Sequence, residues 1–307
     1  MLNYLCRRCI TAIIVILGVC TLVFLLIHIV PGDPVEVMLG ESAQIADKET
    51  LRSALGLNLP LFRQWLNFMT HLVQCDFGTS LYSKREITDL LAERIPPTLL
   101  LACASIFISV LIAFPLGVLA AVRKGTRLDL FAMTFSMLGI SIPNFWMGPL
   151  LIMVFSLWLG WLPVSGMDGI SSLVLPALTL GSALAAILSR MVRSSLLEVL
   201  NEDYIRAAQA RGLSRLTVVL RHGLPNAALP IITVLGMQFG ALLAGAVITE
   251  TIFSWPGIGQ LTIDAIQKRD YPVVQACVLL ISLTYVTVNL LTDLAYALLD
   301  PRVRLEQ

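Results

Sequence analysis

Cys6 and Cys9 form a C-x-x-C pair, a spacing that suits a metal or a redox couple when a second pair or a histidine stands near. Neither is near. The other cysteines, Cys20, Cys75, Cys103 and Cys277, are scattered and imply no disulfide framework. His28, His71 and His222 fall in different regions, and no nucleophile, base and orienting residue recur at a catalytic spacing. Lys48, Lys84, Lys124 and Lys268 each lack the preceding glycine of a G-x-x-x-x-G-K-[ST] phosphate cradle. Catalysis, a metal centre and nucleotide binding by this chain are all disfavoured.

A different set of polar residues interrupts long apolar runs: His28, Asn144, Gln238, Glu250, and Asn289 with Asp293, which stand four apart on one helical face. A polar group in hydrocarbon is costly and marks a solute path, a headgroup contact or a hydrogen-bonded helix pair. Asn144, Gln238, Glu250, Asn289 and Asp293 are therefore the candidates for lining a translocation path, with helix pairing as the alternative.

The elements that hold these residues follow from composition. The chain has 307 residues, of which 57% are hydrophobic and 13% charged, so water is the wrong solvent for it. A bilayer core about 30 Å thick requires about 20 apolar residues of helix. Runs of that kind lie at about 9–30, 98–122, 128–158, 227–248 and 273–295, with a shorter one at about 173–187. The pattern predicts an all-α membrane protein with six spans, the third tilted or kinked by Pro143 and Pro149. Residues 1–30 form a short tail and the first span, 31–97 an extramembranous insertion with short amphipathic helices, 98–299 the five-helix core, and 300–307 a tail. A net charge of +1 gives no reason to expect a nucleic-acid partner.

Orientation follows from lysines and arginines in short loops. Arg7 and Arg8, the cluster from Arg123 to Arg127, the segment from Arg190 to Arg221, and Arg302 with Arg304 fall on one side, which predicts both termini in the cytoplasm. Lys268 and Arg269 are the short-loop exceptions. Trp158, Trp161, Trp255 and Tyr271 gather near the opposite boundary as an aromatic belt.

Residues 194–226 form a long connection between spans four and five. Asn201 is suited to cap a helix whose first turn carries Glu202 and Asp203. Gly212 is suited to end that helix in a left-handed conformation, Ser214 to cap a second, and Pro225 to close it. Ala207, Ala208 and Ala210 on the first helix let a partner approach the backbone closely. A surface helix pair resting on headgroups is the alternative.

The run from Tyr204 through Arg206 to Gly212, followed by His222 to Asn226, resembles the EAA loop of binding-protein-dependent ABC importer permeases. Arg206 stands where that motif has glutamate, as in the peptide and nickel branch. Further similarities are Pro31 to Pro34, DFGTS at 76–80, Ser141 to Pro143, GWLP at 160–163, Glu250 to Gly257, Asp270 to Pro272 and Asp300 to Arg302. The resemblance covers nearly the whole chain and is greatest to the first permease subunit of dipeptide, oligopeptide, glutathione and nickel importers. It implies a six-helix type I ABC importer permease in the bacterial inner membrane, with a periplasmic insertion after the first span. It also implies an ATPase-coupling role for Tyr204, Arg206, Ala207, Ala208, Ala210, Gly212 and Pro225. The implied partners are a second homologous permease, two ATPase subunits that carry ATP and Mg, a periplasmic solute-binding protein and membrane lipid. No cofactor is expected on this chain itself. Di- or oligopeptides are the first expectation for substrate, with glutathione or chelated nickel behind. An ion-coupled secondary transporter is the competing class, and it would need its own coupling-ion site.

Overall fold

A computed structural model describes residues 2–29, 35, 44, 48, 49, 52, 53 and 58–299. Pro31 to Pro34, His28's side chain and Asp300 to Arg304 lie outside what it describes. The helices are α1 (Leu2–Ile29), α2 (Leu61–Val73), α3 (Ile87–Val122), α4 (Arg127–Ser141), α5 (Asn144–Leu151), α6 (Ile170–Leu200), α7 (Asp203–Ala210), α8 (Arg215–Thr217), α9 (Leu224–Gly245), α10 (Val247–Ile252), α11 (Ile258–Gln267) and α12 (Tyr271–Leu299). Two π-helical stretches, Ile152–Trp158 and Val218–Gly223, follow α5 and α8 without a break. Among the described residues the sole β pairing is an isolated bridge between Thr79 and Glu86.

Among the described residues five helical stretches are long and apolar enough to cross a bilayer, and a sixth if α4 and the α5–π pair count as one broken span. The predicted kink in that span is a bend of 98°. Its cause is local: Ile142 precedes Pro143 and is held extended (φ −93°, ψ 115°), because the proline ring excludes helical conformation from the residue before it. Other spans also differ from the sequence expectation in length. α3 begins at Ile87, not near Thr98, and runs on through Pro96 and Pro97, because Ile87 and Leu91 are buried against Ile258, Val273, Ala276 and Cys277. α6 continues to Leu200, well past Ile187, because its last turns are also packed: Val192 and Leu196 are fully buried.

The described residues form two compact units. One holds Leu99–Trp255 with the chain from Thr287. Its centre is α6, whose small residues let other helices come close. A Cβ on Gly117 of α3 would lie 2.6 Å from the Ser189 carbonyl oxygen, and one on Gly181 would lie 2.8 Å from that of Ser105. Ser136 and Ser189 share a buried hydrogen bond of 2.7 Å between α4 and α6. Small residues and hydroxyl pairs serve this purpose where lipid removes the hydrophobic drive for helix association. Trp255, placed in the aromatic belt by the sequence, is instead 0% exposed and packs with Leu101, Leu180 and Leu242, whereas Trp158 and Trp161 are exposed.

The other unit holds Leu2–Thr98 and Pro256–Val286. Here α2 is the expected amphipathic helix of the insertion. Phe68, Met69 and Leu72 pack on Cys20 and Val23 of α1, and Trp65 Nε1 donates to Thr21 Oγ1 (3.2 Å). Asp270, 3% exposed at the start of α12, holds the turn after DFGTS. Its carboxylate accepts from Ser80 Oγ (2.6 Å), Leu81 N (3.1 Å) and Tyr82 N (3.3 Å). Lys268 lies 4.5 Å above the Tyr82 ring. Nearby, the Gly78 amide and then His71 hold the Asp76 carboxyl below the usual carboxylate range. That exposed contact is present above the ordinary carboxylate pKa and is lost as pH falls through the lowered one.

Replacing the Asp270 carboxylate by alanine leaves the Ser80 hydroxyl and two amides without their acceptor, at a cost of about 2–5 kcal/mol if all three bonds are lost. Asp270→Ala is expected to lower the thermal midpoint of the protein in detergent and to open residues 80–84 to protease. Asp270→Asn, which keeps one acceptor oxygen, should fall between it and wild type. Wild-type cleavage in both variants would show that the turn does not depend on this carboxylate.

Candidate functional site

The connection between the fourth and fifth spans folds as a helix, a turn and a second helix. α6 ends at Leu200, and Asn201 is its C-terminal cap, with Nδ2 donating to the Leu197 carbonyl (2.9 Å). Asn201 therefore finishes the preceding span and does not cap α7. Glu202, with extended backbone (φ −70°, ψ 149°), is the residue that starts α7, and its side chain makes no cap bond. Asp203 sits in the first turn, where the helix dipole favours a carboxylate, and pairs with Arg206 at 3.2 Å. Both are exposed, so the pair contributes little to stability.

α7 turns one face inward. Ile205 and Ala208 are buried against Val218, with Val199 and Leu200 of α6 packed beside them. Ala208 thus belongs to the inner face, and the socket surface expected from three alanines reduces to Ala207 and Ala210, both exposed. The phase of the helix sets this, since residues 205 and 208 are one turn apart. Arg211 ends α7, and Gly212 follows at φ +81°, its N–H donating to Gln209 O (2.9 Å). Ser214 then caps α8, its Oγ accepting from Thr217 N (3.3 Å).

Pro225 does not close this second helix. α8 passes through the π stretch into α9, and Pro225 lies just past that stretch in an unbroken helical run, where the altered hydrogen-bond ladder accommodates its missing N–H. The candidate span accordingly runs from Arg215 to Leu242. Val219 packs on Leu196 and Ala121, and a Cβ on Gly223 would lie 2.9 Å from Leu196 Cδ1, so the π stretch is pressed onto α6. The outer surface carries Tyr204, Ala207, Ala210, Leu216 and Leu220, of which Leu216 is 68% and Leu220 52% exposed. Partial burial, and then the Glu202 carboxylate, push the Tyr204 phenol above its ordinary range, so it remains a neutral donor.

The polar residues proposed for the path lie on four helices of the same unit. Asn144 is half-buried and opens α5 directly after the bend. Gln238 is buried on α9; its Nε2 donates to the Leu184 carbonyl of α6 (3.1 Å), and its Oε1 meets no partner among the described residues. Glu250 of α10 is 0% exposed, enclosed within the chain, with its carbonyl accepting from Trp255 N (2.8 Å). Asn289 is half-buried on α12, and Asp293 stands on the same helix with its side chain outside the described set. Sequence reasoning missed a further pair, Asp129 of α4 with Arg193 of α6. The only signal was a carboxylate in a first helical turn beside an arginine-rich cluster.

A family model described as "Binding-protein-dependent transport system inner membrane component" matches residues 113–305. A second, "Binding-prot-dependent transport system membrane comp, N-term", matches residues 1–102. Over 304 residues the chain is 44% identical to the glutathione transport system permease protein GsiC of Salmonella typhimurium (strain LT2), covering 99% of each chain. The GsiC of Escherichia coli (strain K12) gives the same identity and coverage. Among solved structures, an inward-facing MetNI methionine ABC transporter matches 69% of this chain and 97% of its own with a TM-score of 0.58 at 20% identity. An amino acid ABC transporter crystallised with histidines matches 68% and 94%, with a TM-score of 0.55 at 17% identity. Both likenesses concern the fold.

No atom lies within 4 Å of a Cβ built on Gly212, so a substitution there is limited by backbone conformation alone. Gly212→Val is expected to cost about 1–3 kcal/mol, and Gly212→Asn much less, since asparagine tolerates the left-handed region. Ala208→Glu should cost more than Ala207→Glu, because only the first forces a carboxylate beneath α7. Protease susceptibility of residues 209–216 in membranes checks both orderings. Equal cleavage of the Gly212→Val and Gly212→Asn variants would show that the turn does not need positive φ.

Proposed function

This chain belongs to the family of binding-protein-dependent transport system inner membrane components, and on that footing we propose that it forms half of the solute pathway of an ATP-driven importer. A second, homologous permease supplies the other half. Two ATPase subunits, which bind ATP and Mg, dock on the cytoplasmic side, and a periplasmic binding protein delivers the solute. The chain itself contributes no nucleotide site and hydrolyses nothing.

The observation that carries this reading is the construction of residues 201–224. A short helix, a left-handed glycine and a capped second helix present Tyr204, Ala207, Ala210 and Leu216 outward. The inner face is fastened to α6 by Ile205, Ala208 and Val219. Small residues admit a partner's backbone, and the exposed leucines supply apolar area for it to bury. Because α8 continues into α9, a push on this surface by a closing ATPase pair moves a whole span. That is the requirement for alternating access driven from outside the bilayer.

The distribution of arginines supports a cytoplasmic position for this segment and for both termini, with Cys75 of the insertion on the periplasmic side. Small peptides are the substrate class we favour. The 44% identity to glutathione permeases over 304 residues makes glutathione, itself a small peptide, the first to try. The binding protein sets most of the selectivity.

Reconstituted with its partners, the chain is expected to support glutathione or tripeptide uptake that stops when the ATPase is disabled. Uptake persisting on an ion gradient alone would overturn the proposal. Ala207→Glu should bury an unpaired charge at the docking surface, cost about 3–5 kcal/mol of association and abolish ATPase co-purification while the permease remains in the membrane. For orientation, Cys75 is exposed and Cys9 half-buried. An impermeant maleimide added to spheroplasts carrying single-cysteine variants should label Cys75 and spare Cys9; the reverse pattern would invert the topology.

A further inference from the structure

The loop between α3 and α4 (residues 123–126) is tied on both sides to elements far away in sequence. Val122 is the last residue of α3, and its carbonyl is one of the acceptors a helix end leaves open. Arg215 Nη2, from the first residue of α8, donates to it at 2.6 Å. A cation at that position also meets the negative end of the α3 dipole. Four residues after the loop's Gly125, Asp129 in the first turn of α4 is 6% exposed and makes a bidentate pair with Arg193 of α6: Nε to Oδ1 at 2.7 Å and Nη2 to Oδ2 at 2.8 Å. The same Oδ2 accepts the Gly125 amide at 3.0 Å. Thr126 Oγ1 and Thr126 N both donate to the Arg123 carbonyl, which closes the turn on itself (2.6 and 3.0 Å).

These bonds join four elements at one end of the unit. Arg215 belongs to the segment proposed above to receive the ATPase. Val122 ends α3, Asp129 starts α4, and Arg193 lies in the part of α6 that also carries Leu196 beneath the π stretch. The loop and the first residue of α4 together carry three cations, Arg123, Lys124 and Arg127, and Asp129 is the carboxylate that fixes the cluster's far side. A bidentate arginine–carboxylate pair is directional and tolerates little change of angle. The exposed Arg215 bond is the more readily made and broken of the two.

We propose that Arg215 and the Asp129–Arg193 pair are positioning residues for transport: Arg215 passes displacement of the ATPase-docking segment to the 123–126 loop, and the ion pair passes it on to α4 and α6. The proposal rests on the importer reading. Its content is that the docking segment drives α3 and α4 as well as α9, through hydrogen bonds that no chain continuity supplies.

The test uses the complete importer in proteoliposomes and reads the ratio of ATP hydrolysis with binding protein to hydrolysis without it. A wild-type complex that hydrolyses no ATP would refute the importer reading itself, whatever the relay does. With hydrolysis established, Arg215→Met, which keeps the stem and loses the donor, is expected to lower the ratio about fivefold or more. Arg215→Lys, which still presents a cation to Val122, should recover most of it. Subunit co-purification is measured on the same preparations, and a ratio that falls only as far as co-purification falls would overturn the relay. Asp129→Asn and Arg193→Met should each lower the ratio, and either combined with Arg215→Met should lose little more than the worse single variant. A wild-type ratio in Arg215→Met, or losses that multiply in the doubles, would overturn the relay. Should the Asp129 or Arg193 variants fail to accumulate, the methionine and lysine pair at 215 decides the question alone.

Discussion

Hydrocarbon offers no hydrogen bonds, so each backbone amide and carbonyl that enters it must be satisfied by the chain itself. Nearly every feature of this protein follows from that requirement. The described residues are almost all helical, and where a helix breaks, the break has a chemical reason and a local repair. Pro143 ends α4 by excluding helical conformation at Ile142, and the chain resumes at once with Asn144. Around Pro149 and Pro225, prolines that would interrupt a regular ladder, the backbone passes into π-helical stretches in place of a loop. A wider turn lets the ladder continue with changed partners, and it turns side chains that a strict α-helix would aim elsewhere.

The same requirement explains how the helices hold one another. With lipid as apolar as leucine, burial alone does not pull two spans together, and contact depends on how close the backbones approach. Gly117, Gly139 and Gly181 stand where α3 and α4 meet α6, each with backbone carbonyl oxygen within about 3 Å of where a Cβ would lie. Short polar links then fix the arrangement: Ser136 to Ser189, Gln238 to Leu184, Asp129 to Arg193. α6 takes part in all of them, which makes it the reference against which both the bent α4–α5 pair and the 201–224 segment are placed.

What could be read from sequence was whatever is decided within a few residues. Hydropathy located the five long apolar helices and the bent pair, and cap chemistry gave the positive φ of Gly212 and the bond accepted by Ser214. Errors arose where distant packing decides. The fourth apolar run stops near residue 187, yet α6 runs on because Arg193 finds Asp129 and Leu196 finds Val219. Asn201 has the right side chain for a helix start and is used one residue earlier, as a finish. Ala208 and Ala207 are indistinguishable by composition, and only helix phase against Val218 separates them. Trp255 matches a belt residue in type and position, and burial against Leu101 and Leu180 overrides that.

Ser80 and Asp270 are 190 residues apart in the chain. At about 5–20 residues per second, a ribosome needs roughly 10–40 s between making the turn and making the carboxylate that holds it. During that interval Ser80, Leu81 and Tyr82 have no Asp270 to bond, while the early spans are already entering the membrane. The latch closes when the last span arrives. A chain truncated anywhere before Asp270 leaves the turn without its acceptor, so completeness of the C-terminal span is recorded in a region translated long before it.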